Sequence, residues 1–186
     1  MNTLIYILIG VAVVLILWVI GAYNGFVKLR NREKQAESDI DVQTKRRYDL
    51  IPNLVETVKG YMKQEQTVLE NVTKARTMAM QSGGTALDKA NTENQLTGAL
   101  KSLFAVAESY PDLKSNQNFL ELQREISDTE NKIMAARRFY NSVVQELNTK
   151  IESFPSNIIA GMFHFKKENF FEVNDSVERE PVNVKF

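Results

Sequence analysis

The chain has no cysteine and a single histidine, and these two shortages narrow the chemistry that it can carry out. Without cysteine there is no disulfide and no thiolate ligand for a metal ion, which fits a reducing cytoplasm. One histidine leaves little scope for histidine-based metal or acid–base sites. The 23 basic residues balance the 23 acidic ones, so the net charge is zero and gives no overall attraction to nucleic acid.

Residues that interrupt regular structure are also few, with four prolines and eight glycines among 186 residues. This composition is typical of long helices rather than of many turns. Gly83 and Gly84 lack the lysine and the preceding strand of a phosphate-binding loop. No serine or threonine stands in a nucleophile motif, and the Glu-x-x-His pair of a di-iron bundle is missing. We therefore predict no enzymatic activity and no catalytic, cofactor-binding or metal site.

The longest apolar run covers residues 4–23, LIYILIGVAVVLILWVIGAY, and contains no charged residue and no proline. As a helix it would be about 30 Å long, which matches the hydrocarbon core of a bilayer. Its Leu, Ile and Val residues favour insertion by about 4 to 8 kcal/mol. A buried core helix and a cleaved signal peptide are the alternatives, but the run is longer than a signal's apolar region and no Lys or Arg precedes it. We predict a permanent transmembrane anchor.

Basic residues follow this run and do not precede it. Only residues 1–3 come before the run, and shortly after it come Lys28, Arg30, Arg32 and Lys34. The positive-inside rule then predicts a short exterior N-terminus and a cytoplasmic body. The two glycines of the run do not have the spacing of a small-xxx-small packing motif, so we expect the span to anchor the chain rather than to drive its assembly.

From residue 24 to about residue 79, apolar side chains recur at three- and four-residue spacing. This pattern predicts a helix that continues the membrane span into water. Pro52 interrupts it. Either Asp49 caps a new helix at that point, or the proline kinks a single long helix, and the pattern does not decide between these.

A polar loop containing two glycines is predicted over residues 81–91. Thr92 and Gln95 have the spacing of a capping box, so the next helix is expected to begin there. It is expected to end after Tyr110, because Pro111 cannot continue it.

The third helix is expected to begin after a cap at Ser115 or Asn116 and to end at Phe154. Its apolar stripe has steps of three and four residues and consists of Phe119, Leu122, Ile126, Thr129, Ile133, Ala136, Tyr140, Val143 and Leu147. Such a stripe indicates packing along the whole helix, either in an intramolecular bundle or in a coiled coil between chains. Short connections and two further amphipathic helices favour the bundle, with Ile133 in its core.

A short helix is predicted over residues 155–163, with Pro155 in its first turn. It is accompanied by four phenylalanines, Phe163, Phe165, Phe170 and Phe171. We expect these rings to cover one end of the bundle, with membrane contact as the alternative, and we expect His164 to be a packed or surface residue. Residues 174–186 are polar and without a period, and predict a flexible tail.

A basic cluster is formed by Lys45, Arg46, Arg47 and Tyr48. It is the closest approach to a nucleic-acid patch, but acidic residues flank it, and ion pairing with neighbouring helices is the favoured interpretation. We expect structural roles, in pairs within the chain or across subunits, for Arg46, Arg47, Asp49, Glu130, Arg137 and Arg138.

Several segments of the chain resemble the LemA family of bacterial proteins. They are DIDVQTKRRYDLIPNLVETVKGY at 39–61, LENVTKAR at 69–76, YPDLKSNQNFLELQREISDTENKI at 110–133, AARRFYN at 135–141 and FPSNIIAGMFHF at 154–165. The resemblance implies a single-pass protein of the bacterial inner membrane, with its N-terminus outside and an antiparallel helical bundle in the cytoplasm. A magnetosome-membrane protein carries a related domain. The resemblance implies no catalytic residues.

These observations predict an all-α fold with four parts. Residues 1–3 form the exterior N-terminus, residues 4–23 the single transmembrane helix, residues 24–173 an antiparallel bundle of three long helices and one short helix, and residues 174–186 the tail. The leading functional hypothesis is a membrane-anchored helical scaffold that assembles into a homo-oligomer and organises or shapes the bacterial membrane. The alternative is a membrane-tethered adaptor that docks an unidentified protein. The lipid bilayer is an expected partner in both cases, nucleic acid is not, and no cofactor is expected.

Overall fold

The computed structural model describes residues 2–171, and these residues form six helices and no strand. The helices are α1 (Asn2–Lys59), α2 (Gln66–Gln81), α3 (Ala86–Ala107), α4 (Pro111–Lys114), α5 (Gln117–Glu152) and α6 (Ser156–Met162). The prediction of an all-α fold with a long apolar N-terminal helix and a helical bundle is confirmed. The predicted tail at 174–186 lies outside the described residues.

Helix α1 is one continuous helix of 58 residues that contains the whole apolar run. Pro52 lies inside it, so the alternative in which Asp49 caps a new helix is wrong. The N-terminal part of α1 is long and apolar enough to cross a membrane, and its most apolar window is not buried against other parts of the chain. The alternative of a buried core helix is therefore wrong as well.

The predicted helix from residue 24 to residue 79 is in fact two helices, because the chain turns between Lys59 and Gln66. Gly60 begins the turn, and the backbone N–H groups of Tyr61 and Met62 both donate to the carbonyl oxygen of Val58 at 2.9 Å. Glycine weakens a helix because it loses more conformational freedom than other residues. The bundle consequently has four long helices and two short ones, rather than three and one.

Helix α3 begins at Ala86, earlier than predicted, and its capping box is formed by Thr85 and Asp88. The Asp88 N–H donates to the Thr85 hydroxyl oxygen at 3.3 Å, and the Thr85 N–H donates to Asp88 Oδ2 at 3.0 Å. The predicted capping box at Thr92 is wrong, since Thr92 lies inside α3 and its hydroxyl donates to the carbonyl oxygen of Lys89 at 3.1 Å. The loop before α3 is thus only a few residues long, and Gly84 adopts a φ of 132° there.

The connection between α3 and α5 contains the short helix α4, which Pro111 begins. Helix α3 ends before this proline, as predicted, but at Ala107, three residues before the predicted end at Tyr110. Of the two candidate caps for α5, Asn116 is the one used, because its side-chain oxygen accepts from the Phe119 N–H at 3.0 Å.

The chain divides into two compact units. The first unit consists of residues 2–41 and Ala135–Asn169, and the second of Val42–Met134 with Phe170 and Phe171. The core of the second unit draws on α1 to α5 and includes Ile51, Leu54, Val58, Leu69, Val72, Leu96, Leu100, Leu103, Leu113, Phe119 and Ile126. Ile133, also in this unit, is buried as its place in the stripe predicts.

The first unit has a smaller core, in which the end of the apolar run takes part. Its buried residues are Phe26, Leu29, Leu147, Ile159 and Ala160, and packed against them are Val19, Ala22, Ile151 and Phe165. Val19 and Ala22 belong to the predicted membrane span, so this unit begins where the span ends, with no linker between them.

Candidate functional site

One residue of the basic cluster on α1, Arg47, takes part in a buried network of charged side chains inside the second unit. The Arg47 side chain is completely buried and pairs with the carboxylates of Glu93 on α3 and Glu130 on α5. An unpaired charge at such a position would be very costly, which explains why two carboxylates converge on one guanidinium group. The favoured interpretation of this cluster as an ion-pairing site is confirmed for Arg47.

Further hydrogen bonds extend this network to four helices. Arg47 donates to the Thr97 hydroxyl at 3.1 Å, and Thr97 in turn donates to Glu130 Oε1 at 3.1 Å. The Tyr48 hydroxyl donates to Glu93, and Arg76 Nε on α2 donates to the Tyr48 carbonyl oxygen at 2.8 Å. Burial raises the pKa of Tyr48, and its hydrogen bond to Glu93 raises it further, so this hydroxyl keeps its proton.

The network has the properties of a structural element. Its buried guanidinium group is held by carboxylates from two other helices, and within residues 2–171 no group of three or more His, Cys, Asp or Glu side chains is placed to hold a metal ion. A buried ion pair adds little net stability but strongly penalises arrangements in which one partner is missing. We infer that the network fixes the order and register of the helices in the second unit.

Glu93 is the member of the network that sequence reasoning missed. It lies three residues before Leu96 and three after Ala90, at a position of α3 that faces the core, and it is almost fully buried. A single acidic residue inside an apolar stripe was the available signal. Of the other predicted structural residues, Arg46 forms an exposed pair with Glu125 at 3.7 Å, and Asp49 and Arg138 are exposed.

The first unit has buried polar side chains of its own, among them Glu33 on α1 and Arg137 on α5, which was predicted to be structural. Burial raises the pKa of Glu33, and the neighbouring carboxylates of Glu168 and Glu37 raise it further, while two cations on α1 act weakly in the opposite direction. Burial likewise raises the pKa of Tyr140, as does the adjacent Glu33, and the Tyr140 hydroxyl donates to the Asn169 carbonyl oxygen at 3.3 Å. When Glu33, Glu37 and Glu168 are all ionised, their carboxylates repel one another.

Helix α6 ends in a Schellman motif that turns the chain back onto α1. The Phe165 N–H donates to the Ala160 carbonyl oxygen at 3.0 Å, and the His164 N–H donates to that of Gly161 at 3.3 Å. His164 has a φ of 57°, the left-handed conformation that this motif requires. The lone histidine is therefore an exposed turn residue, and Phe165 lies in contact with the core of the first unit.

Aromatic rings surround the point where the apolar run of α1 ends. The ring centroid of Tyr23 lies 4.7 Å from that of Phe163, and the centroids of Phe26 and Phe165 are 4.8 Å apart in a stacked arrangement. We call these four residues the aromatic collar. Of the four phenylalanines expected to cover one end of the bundle, Phe163 and Phe165 belong to the first unit, and Phe170 and Phe171 belong to the second.

Comparison with known proteins agrees with this architecture. The sequence profile of the LemA family matches residues 36–186. This chain belongs to the LemA family. It is 26% identical to Protein LemA from Metamycoplasma hominis over 165 residues, which cover 89% of this chain and 75% of that protein.

Two further relatives of this LemA-family chain are magnetosome proteins. The chain is 25% identical over 175 residues to Magnetosome protein MamQ 2 from Paramagnetospirillum magneticum, and 22% identical over 174 residues to Magnetosome protein MamQ from Magnetospirillum gryphiswaldense. The alignments cover 81% and 80% of this chain but only 64% of each relative, so the chain spans less than two thirds of their length.

Proposed function

We propose that this LemA-family chain is a membrane-anchored scaffold that assembles with itself and organises the bilayer around it. The observation that carries the proposal is that the anchor and the first unit share one core. Val19 and Ala22 of the apolar run pack against a core to which α1, α5 and α6 contribute, which supports a first unit seated at the bilayer surface.

A unit held at the bilayer surface by a continuous helix has less freedom to move than a domain on a flexible tether. A Gly/Ser linker lets an adaptor search for distant partners, and the continuous helix α1 has none between the apolar run and residue 59. Copies held in the same orientation on one surface have a high effective concentration for each other. With a net charge of zero, they also repel each other little.

The exposed surface supplies groups for contacts between copies. Val42, Met80 and Leu120 are exposed apolar side chains of the second unit, with relative exposures of 60%, 53% and 43%. Exposed charges of both signs lie near them along the helices and can pair across a repeated interface. The relationship to magnetosome proteins supports a role at membranes.

The particle size of the full-length protein in mild detergent tests this proposal. A scaffold should form particles of many subunits when it is purified alone, visible by light scattering and electron microscopy. A monomer that stays monodisperse at micromolar concentration, and also in nanodiscs, would contradict self-assembly.

A second candidate function, the adaptor, is favoured by one observation in the second unit. A groove with a volume of about 680 Å³ lies between α3 and α5, with Leu100, Phe104 and Ile126 on its apolar floor. Charged side chains at its edge include Lys101 and Arg124. An apolar groove with a charged edge is the form that binds an amphipathic helix.

The two functions respond differently to a change in this groove. Phe104→Glu introduces a charge into its floor and should abolish the binding of an adaptor's partner while leaving the size of a self-assembled particle unchanged. A protein that remains small alone and becomes larger only with a partner, in a manner lost in Phe104→Glu, would favour the adaptor.

A further inference from the structure

Helix α6 has two apolar faces, and only one of them is covered by the first unit. Ile159 and Ala160 are buried in the core that also contains Val19 and Ala22. Ile158 and Met162, four residues apart in α6, are 53% and 62% exposed, and Phe154, in the turn before α6, is 81% exposed. Because side chains four apart lie on one side of a helix, Ile158 and Met162 form one stripe, which we call the outer stripe.

The position of α6 identifies what covers the outer stripe. Its inner face packs against the last turns of the apolar run, and the Tyr23–Phe163 contact ties its C-terminus to the last residue of that run. If residues 4–23 fill the hydrocarbon core, Tyr23 lies at its edge, where tyrosine is commonly found. The outer stripe lies on the same short helix as Ile159 and Ala160, which share a core with Val19 and Ala22 of the apolar run, so lipid is the apolar material available at its depth.

A basic pocket lies beside the aromatic collar in the same unit. It has a volume of about 360 Å³, and its walls include Tyr23, Phe163, Arg30 and Lys34. Arg30 and Lys34 are exposed, neither is in an ion pair with another described residue, and no acidic side chain lines the pocket. The pocket thus combines two exposed cations, which also act at longer range on the Glu33 carboxylate, with aromatic walls.

The depth of the pocket agrees with that of lipid headgroups. Arg30 follows Tyr23 by seven residues, or about 10 Å along the helix axis, and Lys34 by about 16 Å. Their side chains lean toward the N-terminus of α1, back toward the bilayer, because the Cα–Cβ bonds of a helix are tilted in that direction. Residues 154–167 add Lys166 and contain no acidic residue, whereas Lys167 is paired with Glu152.

We propose that this pocket binds the phosphate-bearing headgroup of an anionic phospholipid, such as phosphatidylglycerol, whose acyl chains lie against the outer stripe of α6. Arg30 and Lys34 contact the phosphate, since charge-assisted hydrogen bonds to phosphate are among the strongest that side chains make. Tyr23 and Phe163 form the apolar wall at the junction of headgroup and acyl chains. The site requires the membrane anchor but not self-assembly. Lipid binding can therefore be tested independently of the proposed scaffold function.

The test uses full-length protein in a neutral detergent, titrated with phosphatidylglycerol, phosphatidylcholine and soluble glycerol phosphate, with binding followed by native mass spectrometry. Phosphatidylglycerol should bind more tightly than the other two, and the double variant Arg30→Gln/Lys34→Gln should weaken its binding by about tenfold or more because two charge-assisted contacts are lost. The control is Lys28→Gln/Lys45→Gln, which removes the same charge from exposed positions of α1 that do not line the pocket.

The outcomes separate the possible sources of phosphate. Equal loss of phosphatidylglycerol binding in both double variants would show a general attraction of the lipid to positive charge. It would contradict the assignment of the binding site to the pocket. Glycerol phosphate binding as tightly as the lipid would show a site for free phosphates and would overturn the lipid assignment. All four substituted residues are exposed, so the melting temperatures of both variants should equal that of the wild type, and Arg30→Lys should retain most of the affinity.

Discussion

Arg47 of α1 and Glu93 of α3 form an ion pair in which both side chains are almost completely shielded from solvent, at 0% and 4% exposure. The two residues are 46 positions apart in the chain. Their pairing therefore exists only in the folded second unit, together with the second carboxylate on Glu130.

Removing the cation from this network should be strongly destabilising. Arg47→Ala leaves two carboxylates without their partner, and we expect the free energy of unfolding to fall by about 3 to 5 kcal/mol. Arg46→Ala is the matched control, because its pair with Glu125 is exposed and worth about 0 to 1 kcal/mol. Thermal unfolding of the full-length protein in detergent, followed by circular dichroism, measures both. Similar melting temperatures for the two variants would show that the network is not a structural element.

The core position of Ile133 can be tested with its exposed neighbour. Ile133→Asp buries an unpaired carboxylate and should cost several kcal/mol, enough to unfold a domain of ordinary stability. Met134 is 43% exposed, so Met134→Asp should change the melting temperature little. A folded Ile133→Asp variant with wild-type stability would show that Ile133 and the apolar stripe of α5 do not face the core.

Burial of Glu33 predicts a specific dependence of stability on pH. A carboxyl whose pKa is higher in the folded chain than its usual 4.5 stabilises the fold most when protonated, and this contribution is lost as the pH rises through the raised pKa. Glu33→Gln should therefore be more stable than the wild type at neutral pH, and the difference should vanish in acid below the usual value. Asp39→Asn, at an exposed position, serves as the control. A gain that is constant with pH would exclude ionisation of Glu33 as its cause.

The topology remains a prediction from the distribution of charge, and the absence of native cysteine makes it simple to measure. A membrane-impermeant maleimide should label a Thr3→Cys variant in intact cells and should label Ser115→Cys only after lysis. Both positions are exposed. Labelling of Ser115→Cys in intact cells would place the helical units outside.

The sequence was most informative where one periodic pattern runs through one helix. The stripe of α5 identified Ile126, Ile133 and Val143 as buried, because burial of an apolar face requires that spacing. The turn at Gly60 was missed because Met62 and Leu69 are seven residues apart, so the heptad spacing continues across the break.

Features that depend on distant residues were beyond sequence reasoning. The pairing of Arg47 with Glu93 requires knowledge of which helices are neighbours, and pattern alone does not give this. The same holds for the stacking of Phe26 on Phe165, which depends on the turn at His164 that follows α6. Local signals defined the elements, whereas the candidate sites arise from their packing.

The scaffold hypothesis rests on self-assembly, and the mass of the particle in solution decides it. Full-length protein, purified alone in mild detergent and then reconstituted in nanodiscs of several sizes, should be measured by light scattering and imaged by electron microscopy. The account predicts particles of many subunits that fill the larger discs with side-by-side copies. A single copy per disc, together with a monodisperse monomer in detergent at micromolar concentration, would contradict it.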